Sequence, residues 1–269
     1  MRTSTLINKY RTLIKYLFYG AIFSVVLFQI LNMRKYIFAI LCIYGITLKA
    51  QEKVSNKKKN KLEFSTAYNF GVLKNLELAP VARYDYNGIV YKLSYERSSK
   101  NQNIFEVGVD FLGKTALKTD RLSNLNTELL KGSVNFSYLK QLYTKNSLSI
   151  HIGLQSQSNI SRFFNRSDYV DVHQELGITS RFGYRLNEKQ YLSSQITIPF
   201  VLGRVSSVNA GVYSFNRYQS ISWNLKYGYI LSDNFDIKAS YDFSYNRLQI
   251  PIAYRELQHQ LNLGIIYKF

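Results

Sequence analysis

The chain has 269 residues, of which 46% are hydrophobic and 15% aromatic, with 35 Lys and Arg against 17 Asp and Glu. That much apolar surface excludes a disordered chain, and one cysteine excludes both a disulfide scaffold and a cysteine-based zinc module. The charge of +18 is uneven: residues 1–50 hold seven basic residues and no acidic one, so the rest carries +11. Only residues 53–61 form a basic block, and with no basic face on a recognisable module no nucleic-acid partner is expected.

In chain order, two apolar runs come first, at 16–31 and 36–48. Met33-Arg34-Lys35 precedes the second, and Ala50 follows it, which gives the basic, apolar and small-residue parts of a secretory signal. The reading is an upstream hydrophobic extension at 1–32, a signal peptide at 33–50, a basic leader at 51–61 and one folded domain at 62–269. Membrane helices are the competing reading. Each run is shorter than the roughly 20 residues a helical span needs, and Arg34 and Lys35 interrupt a joined one. Cys42 follows Leu41 rather than a small residue, so it does not read as a lipid attachment site.

Beyond residue 61 the apolar period is two. Across 235–245 every odd position is apolar or aromatic and every even one is Asp, Lys or Ser. Across 257–269 the odd positions are Leu, His, Leu, Leu, Ile, Tyr and Phe, and 170–186 repeats the pattern on even positions. Such segments are strands with one oily and one wet face. They are placed at 62–72, 87–98, 103–113, 129–143, 147–157, 169–186, 190–199, 212–230, 234–246 and 255–269. Short links at 99–102, 144–146, 187–189 and 231–233 alternate with long ones at 73–86, 114–128, 158–168, 200–211 and 247–254.

The fold expected is all-β: a closed up-and-down antiparallel transmembrane β-barrel of about 10 strands, with 8 or 12 as neighbouring solutions and a soluble sandwich or lipocalin-like carrier as the alternative. Several segments exceed the 9–11 residues of a tilted crossing. The wet face is rich in Gly, Ser, Asn and Gln, aromatics gather toward strand ends, and turns are short on one side and long on the other.

The last strand, through Leu261, Leu263, Ile265, Tyr267 and the terminal Phe269, resembles the C-terminal signal of Gram-negative outer-membrane β-barrels. The resemblance is to the superfamily, and His259 departs from an apolar outward face. It implies outer-membrane localisation after export, handling by the barrel-assembly machinery, and contact with outer-membrane lipid and lipopolysaccharide.

A ten-stranded bore sits near the side-chain-filled end of the size range, and Arg181, Arg185, Glu175, Glu106, Asp110, Lys92 and Lys238 are expected to crowd it. One inward cluster is a catalytic candidate. With the loop between the fifth and sixth strands centred near Phe163, His151 is expected across from Glu175, with His173 and Asp171 close by. A His beside carboxylates serves as general base or metal ligand; the plain alternative is a hydrogen-bond network bracing the strands. No cofactor or metal is expected.

The long loops carry Lys74, Arg83, Lys114, Lys118, Arg121, Arg162, Arg166, Arg204, Arg247 and Arg255, candidates to meet lipopolysaccharide phosphates. Phe163-Phe164 and Ile250-Pro251-Ile252 are apolar loop tips, for a partner or for folding back onto the barrel mouth. Three roles follow: a structural, surface-interaction or assembly role with an envelope protein partner, a narrow solute channel, or an outer-membrane hydrolase working through lumen His and carboxylate groups.

Overall fold

The alternation resolves into strands in the computed structural model, which describes residues 58–78, 83–119, 127–164, 169–249 and 251–269. The extension, the signal and most of the leader, with Cys42, lie outside the described residues, as do Arg121, Arg166 and Ile250.

The strands are β1 (Asn60–Asn75), β2 (Tyr84–Ser98), β3 (Ile104–Ala116), β4 (Glu128–Lys145), β5 (Leu148–Phe164), β6 (Tyr169–Arg185), β7 (Gln190–Ser206), β8 (Ala210–Ser214), β9 (Tyr218–Ile230), β10 (Phe235–Leu248) and β11 (Tyr254–Lys268). Neighbours pair antiparallel in the order β6-β5-β4-β3-β2-β1-β11-β10-β9-β7, and β6 also pairs β7, so the sheet closes on itself. Ten strands form this closed wall. The segment expected as a single strand at 212–230 is divided: β8 lies along the top of β7 with Tyr213 opposite Leu202, and β9 starts again at Tyr218.

Side-chain direction follows the sequence parity. Phe64, Ile89, Phe136, Leu154, Ile178, Leu261, Leu263 and Ile265 face outward and are 47–67% exposed, except that several neighbours are slightly less so. Ser65, Asn69, Lys238, Asp236, Gln260 and Asn262 face inward and are buried. A soluble sheet puts its oily set inside; this wall puts it outside, as a barrel immersed in hydrocarbon requires.

Small residues make room where aromatics enter the bore. Tyr86 lies over Gly71, its partner on β1, and Tyr191 lies over Gly228, its partner on β9; a Cβ at Gly228 would sit 2.0 Å from the Tyr191 ring. Leu176 of β6 faces Val201 of β7 whereas Gly177 faces Pro199, so Phe200 is an extra residue in β7. Proline lacks an N–H, and a bulge is where a strand tolerates it.

The long connections are shorter than the sequence indicates, because the strands continue beyond the greasy belt. There the inward stripe changes character. Leu73, Leu129, Phe163, Leu202 and Leu248 occupy the parity of polar lumen residues and are at most 2% exposed. With Tyr84, Tyr169, Tyr213, Tyr218 and Tyr254 they form one apolar cluster inside the loop end of the barrel.

Candidate functional site

The bore is the only interior the wall encloses among the described residues, and its side chains are arranged in tiers. Toward the short turns, Glu96 accepts from Lys61 at 2.6 Å and from Arg181 at 2.8 Å, and Arg181 also holds Glu106 and Gln195. Glu63 receives Lys226 at 3.0 Å and Lys238, and Lys268 meets Asp236 at 2.7 Å. Above them Asp242 accepts from Lys92, Asn224 and Asn262. This tier surrounds a polar cavity of about 230 Å³ that also reaches Asp110 and Gln155.

Next comes a belt of neutral groups. Thr197 Oγ1 donates to Gln155 at 3.0 Å and shares a second hydrogen bond with the Thr179 hydroxyl at 2.9 Å, and Gln258 donates to Asn69 at 2.6 Å. A last charged tier is threaded through the apolar cluster, with Glu256 opposite Leu73 and Arg204 two residues beyond Leu202 toward the loops. Lys131 approaches both oxygens of Glu256 (2.6 and 2.7 Å), which also accepts from Tyr254 and Tyr86. Arg204 grips Asp171 and reaches Glu77 at 3.3 Å. Every Lys and Arg that enters the bore among the described residues meets a carboxylate. Burying a charge without such a partner costs several kcal/mol, so these pairs are what lets a tight lumen be charged at all.

The His and carboxylate candidates separate into two sites. His173 Nε2 lies 3.0 Å from Asp171 Oδ1, its ring edge-on to Tyr254 at 4.8 Å, and Glu175 accepts from Asn159 at 3.2 Å. His151 is elsewhere. It faces Arg181 rather than Glu175, and its Nε2 donates to the Gln102 carbonyl at 3.2 Å, bracing a short turn. The cause is register: β5 runs to Phe164, so the pairing is centred three residues further on than the sequence indicates, each partner moves by six, and Glu175 faces Gln157. At about 3.3 Å per residue, the eight residues from His173 to Arg181 separate the two histidines by roughly 26 Å along the wall. Among the described residues no group of three or more His, Cys, Asp or Glu is arranged to hold a metal ion.

The basic residues assigned to long loops are mostly on strands. Lys114 and Arg162 project from β3 and β5 and both approach the Phe164 ring, and Lys114 lies 3.7 Å from Glu128. Lys118 is exposed and its backbone bridges Asp85. Arg204 is a bore residue, 3% exposed, and not a loop group. Arg185 is exposed at the short-turn rim and stays out of the bore. Phe163 folds inward at 1% exposure, so that tip belongs to the barrel mouth. In the C-terminal strand Leu263 and Ile265 face outward, while Tyr267 packs with Phe235 and Phe269. His259 also faces outward, within an aromatic nest: it stacks on Phe70 at 5.1 Å and its Nδ1 lies 2.7 Å from the Tyr241 hydroxyl.

Among solved structures the chain is similar to the outer membrane protease OmpT from Escherichia coli, with a TM-score of 0.54 and 11% identity over 82% of this chain and 100% of that one. The fold is that of an outer-membrane β-barrel. Weaker likenesses are to Neisserial surface protein A (TM-score 0.39, 13% identity, 78% of this chain and 97% of that one) and to Ail of Yersinia pestis (0.33, 13%, 78% and 99%). At such identities the likeness extends to the fold alone. No protein-family model and no curated protein sequence matches the chain.

Proposed function

We propose that the chain is an outer-membrane barrel with a shut bore, exported by its N-terminal signal and inserted by the barrel-assembly machinery through its C-terminal strand. Its role is in envelope structure and surface interaction with a protein partner, not in passage of solute. The observation that carries this reading is the apolar cluster at the loop end. Tyr84, Leu129, Phe163, Tyr218 and Leu248 are at most 1% exposed inside the barrel, stacked above tiers of paired charges. An ion entering there would have to part groups that gain roughly 1.5–3 kcal/mol each by being buried, then compete with ion pairs already made.

A channel role has less support, since the 230 Å³ cavity lies below that cluster. A hydrolase role has less support still: His173 and Asp171 are 6% and 2% exposed, and the carboxylate next to the imidazole is also tied to Arg204 in a two-point pair. Purified barrel added to planar bilayers tests the reading. Silent membranes, with insertion verified by heat-modifiable gel mobility, are the expected result; discrete conductance steps would overturn it.

A further inference from the structure

On the outer surface, three cations stand side by side. Lys74 of β1 is directly opposite Arg255 of β11, and Arg255 is directly opposite Arg247 of β10. Neighbouring strands lie about 4.8 Å apart, so the row is roughly 10 Å wide. Like charges directly opposite in a ladder are destabilising, and among the described residues none of the three makes an ion pair. This contrasts with the bore, where each cation has its carboxylate.

The row has a fixed height. Counting along the outward stripe, Lys74 follows Phe70 and Val72, Arg255 precedes Leu257, and Arg247 follows Phe243 and Tyr245. All three stand one outward position beyond the last greasy outward residue of their strands, at the loop end of the belt. Beside them a groove of about 330 Å³ runs down the wall, floored by Phe70, Val72 and Leu257 and rimmed at its loop end by Arg83 and Lys118. Among the described residues Asp85 is the one carboxylate on that rim, and Arg83 takes it at 2.9 Å.

We propose that the Lys74–Arg255–Arg247 row and the adjoining groove bind a phosphorylated lipid of the outer leaflet, its phosphates on the cations and an acyl chain along Phe70, Val72 and Leu257. Guanidinium groups match phosphate oxygens at two points, and an anion across the row removes the repulsion that the ladder imposes. A free phosphate would use the cations but not the groove. The site rests on the membrane embedding proposed above and is independent of whether the bore conducts.

The test is native mass spectrometry of the full-length mature barrel released from detergent micelles containing bisphosphorylated lipid A and phosphatidylcholine. Wild type is expected to retain one lipid A in preference to phosphatidylcholine. The Lys74→Gln/Arg247→Gln/Arg255→Gln variant is expected to lose retention at least tenfold, and Lys140→Gln, an exposed cation near the short turns, to match wild type. Should the triple variant not fold, Arg255→Gln alone, at the centre of the row, is expected to lose about threefold. Wild-type retention by the triple variant or by Arg255→Gln, equal retention of phosphatidylcholine, or displacement of the lipid by 10 mM inorganic phosphate would each overturn the proposal.

Discussion

Arg204 of β7 and Asp171 of β6 form a two-point ion pair inside the barrel, Nε to Oδ1 at 2.9 Å and Nη2 to Oδ2 at 2.7 Å, with both residues at most 3% exposed. Removing the guanidinium leaves two buried carboxylates, Asp171 and Glu77, without their shared cation, and breaking such a buried group costs about 3–5 kcal/mol, whereas replacing all of its charged members by apolar groups of similar volume is often neutral. Arg204→Leu is therefore expected to lower the urea midpoint of the refolded barrel sharply, and Glu77→Leu/Asp171→Leu/Arg204→Leu to recover most of it. A triple variant as unstable as the single one would mean that the ion cluster is not the unit of stability.

The apolar cluster around it makes a separate prediction. Phe163 meets Tyr169 edge-on at 5.4 Å and is 1% exposed. Phe163→Ala is expected to cost about 3–5 kcal/mol, the range for a buried Phe lost to a cavity, measured by urea titration in detergent. Planar bilayers should stay silent, because the paired charges below still fill the bore.

How much of this was legible in the sequence depends on which rule the strands obey at each height. Within the belt, outward positions are greasy and inward ones polar, so parity placed Lys238, Asp242 and Leu263 on their correct faces. Past the belt the rule reverses. Arg162 points out and Phe163 in, so the belt pattern stops at about residue 157 although β5 continues to Phe164. That lost length displaced His151 from Arg181 to Glu175 in the expected pairing. A signal was present: Leu73, Leu129, Phe163 and Leu248 each continue the inward parity of their strands. Read as a second, inverted stripe, they mark the buried cluster. The cross-bore ion pairs, such as Arg181 with Glu96, join residues far apart in sequence and depend on the tilt of the whole barrel, which no local pattern carries.

The fit of Tyr191 over Gly228 makes a third prediction. An alanine methyl at 228 would sit 2.0 Å from the Tyr191 ring, well inside contact distance, with more close atoms on the same side chain. Gly228→Ala is expected to destabilise by about 1–3 kcal/mol, the range for overpacking. Tyr191→Ser/Gly228→Ala, which removes the ring, should restore most of that loss in the same urea titration. No recovery would mean that the backbone, not the ring, resists the methyl.

The outward stripe itself yields the most discriminating measurement. Leu263 is 67% exposed on β11, midway between Tyr267 and His259. On a water-soluble protein, replacing so exposed a leucine with arginine changes stability by no more than about 0.5 kcal/mol, as surface substitutions do. On the hydrocarbon face of a barrel the same change costs about 2–4 kcal/mol near the midplane and falls toward zero at the interfaces. Leu263→Arg is thus expected to lower stability in liposomes by that larger amount, and arginine at Leu257, nearer the headgroups, by clearly less. The gradient along one strand is the informative quantity. Two equal, small effects would place this face in water, and the greasy stripe would then need a protein partner rather than lipid to cover it.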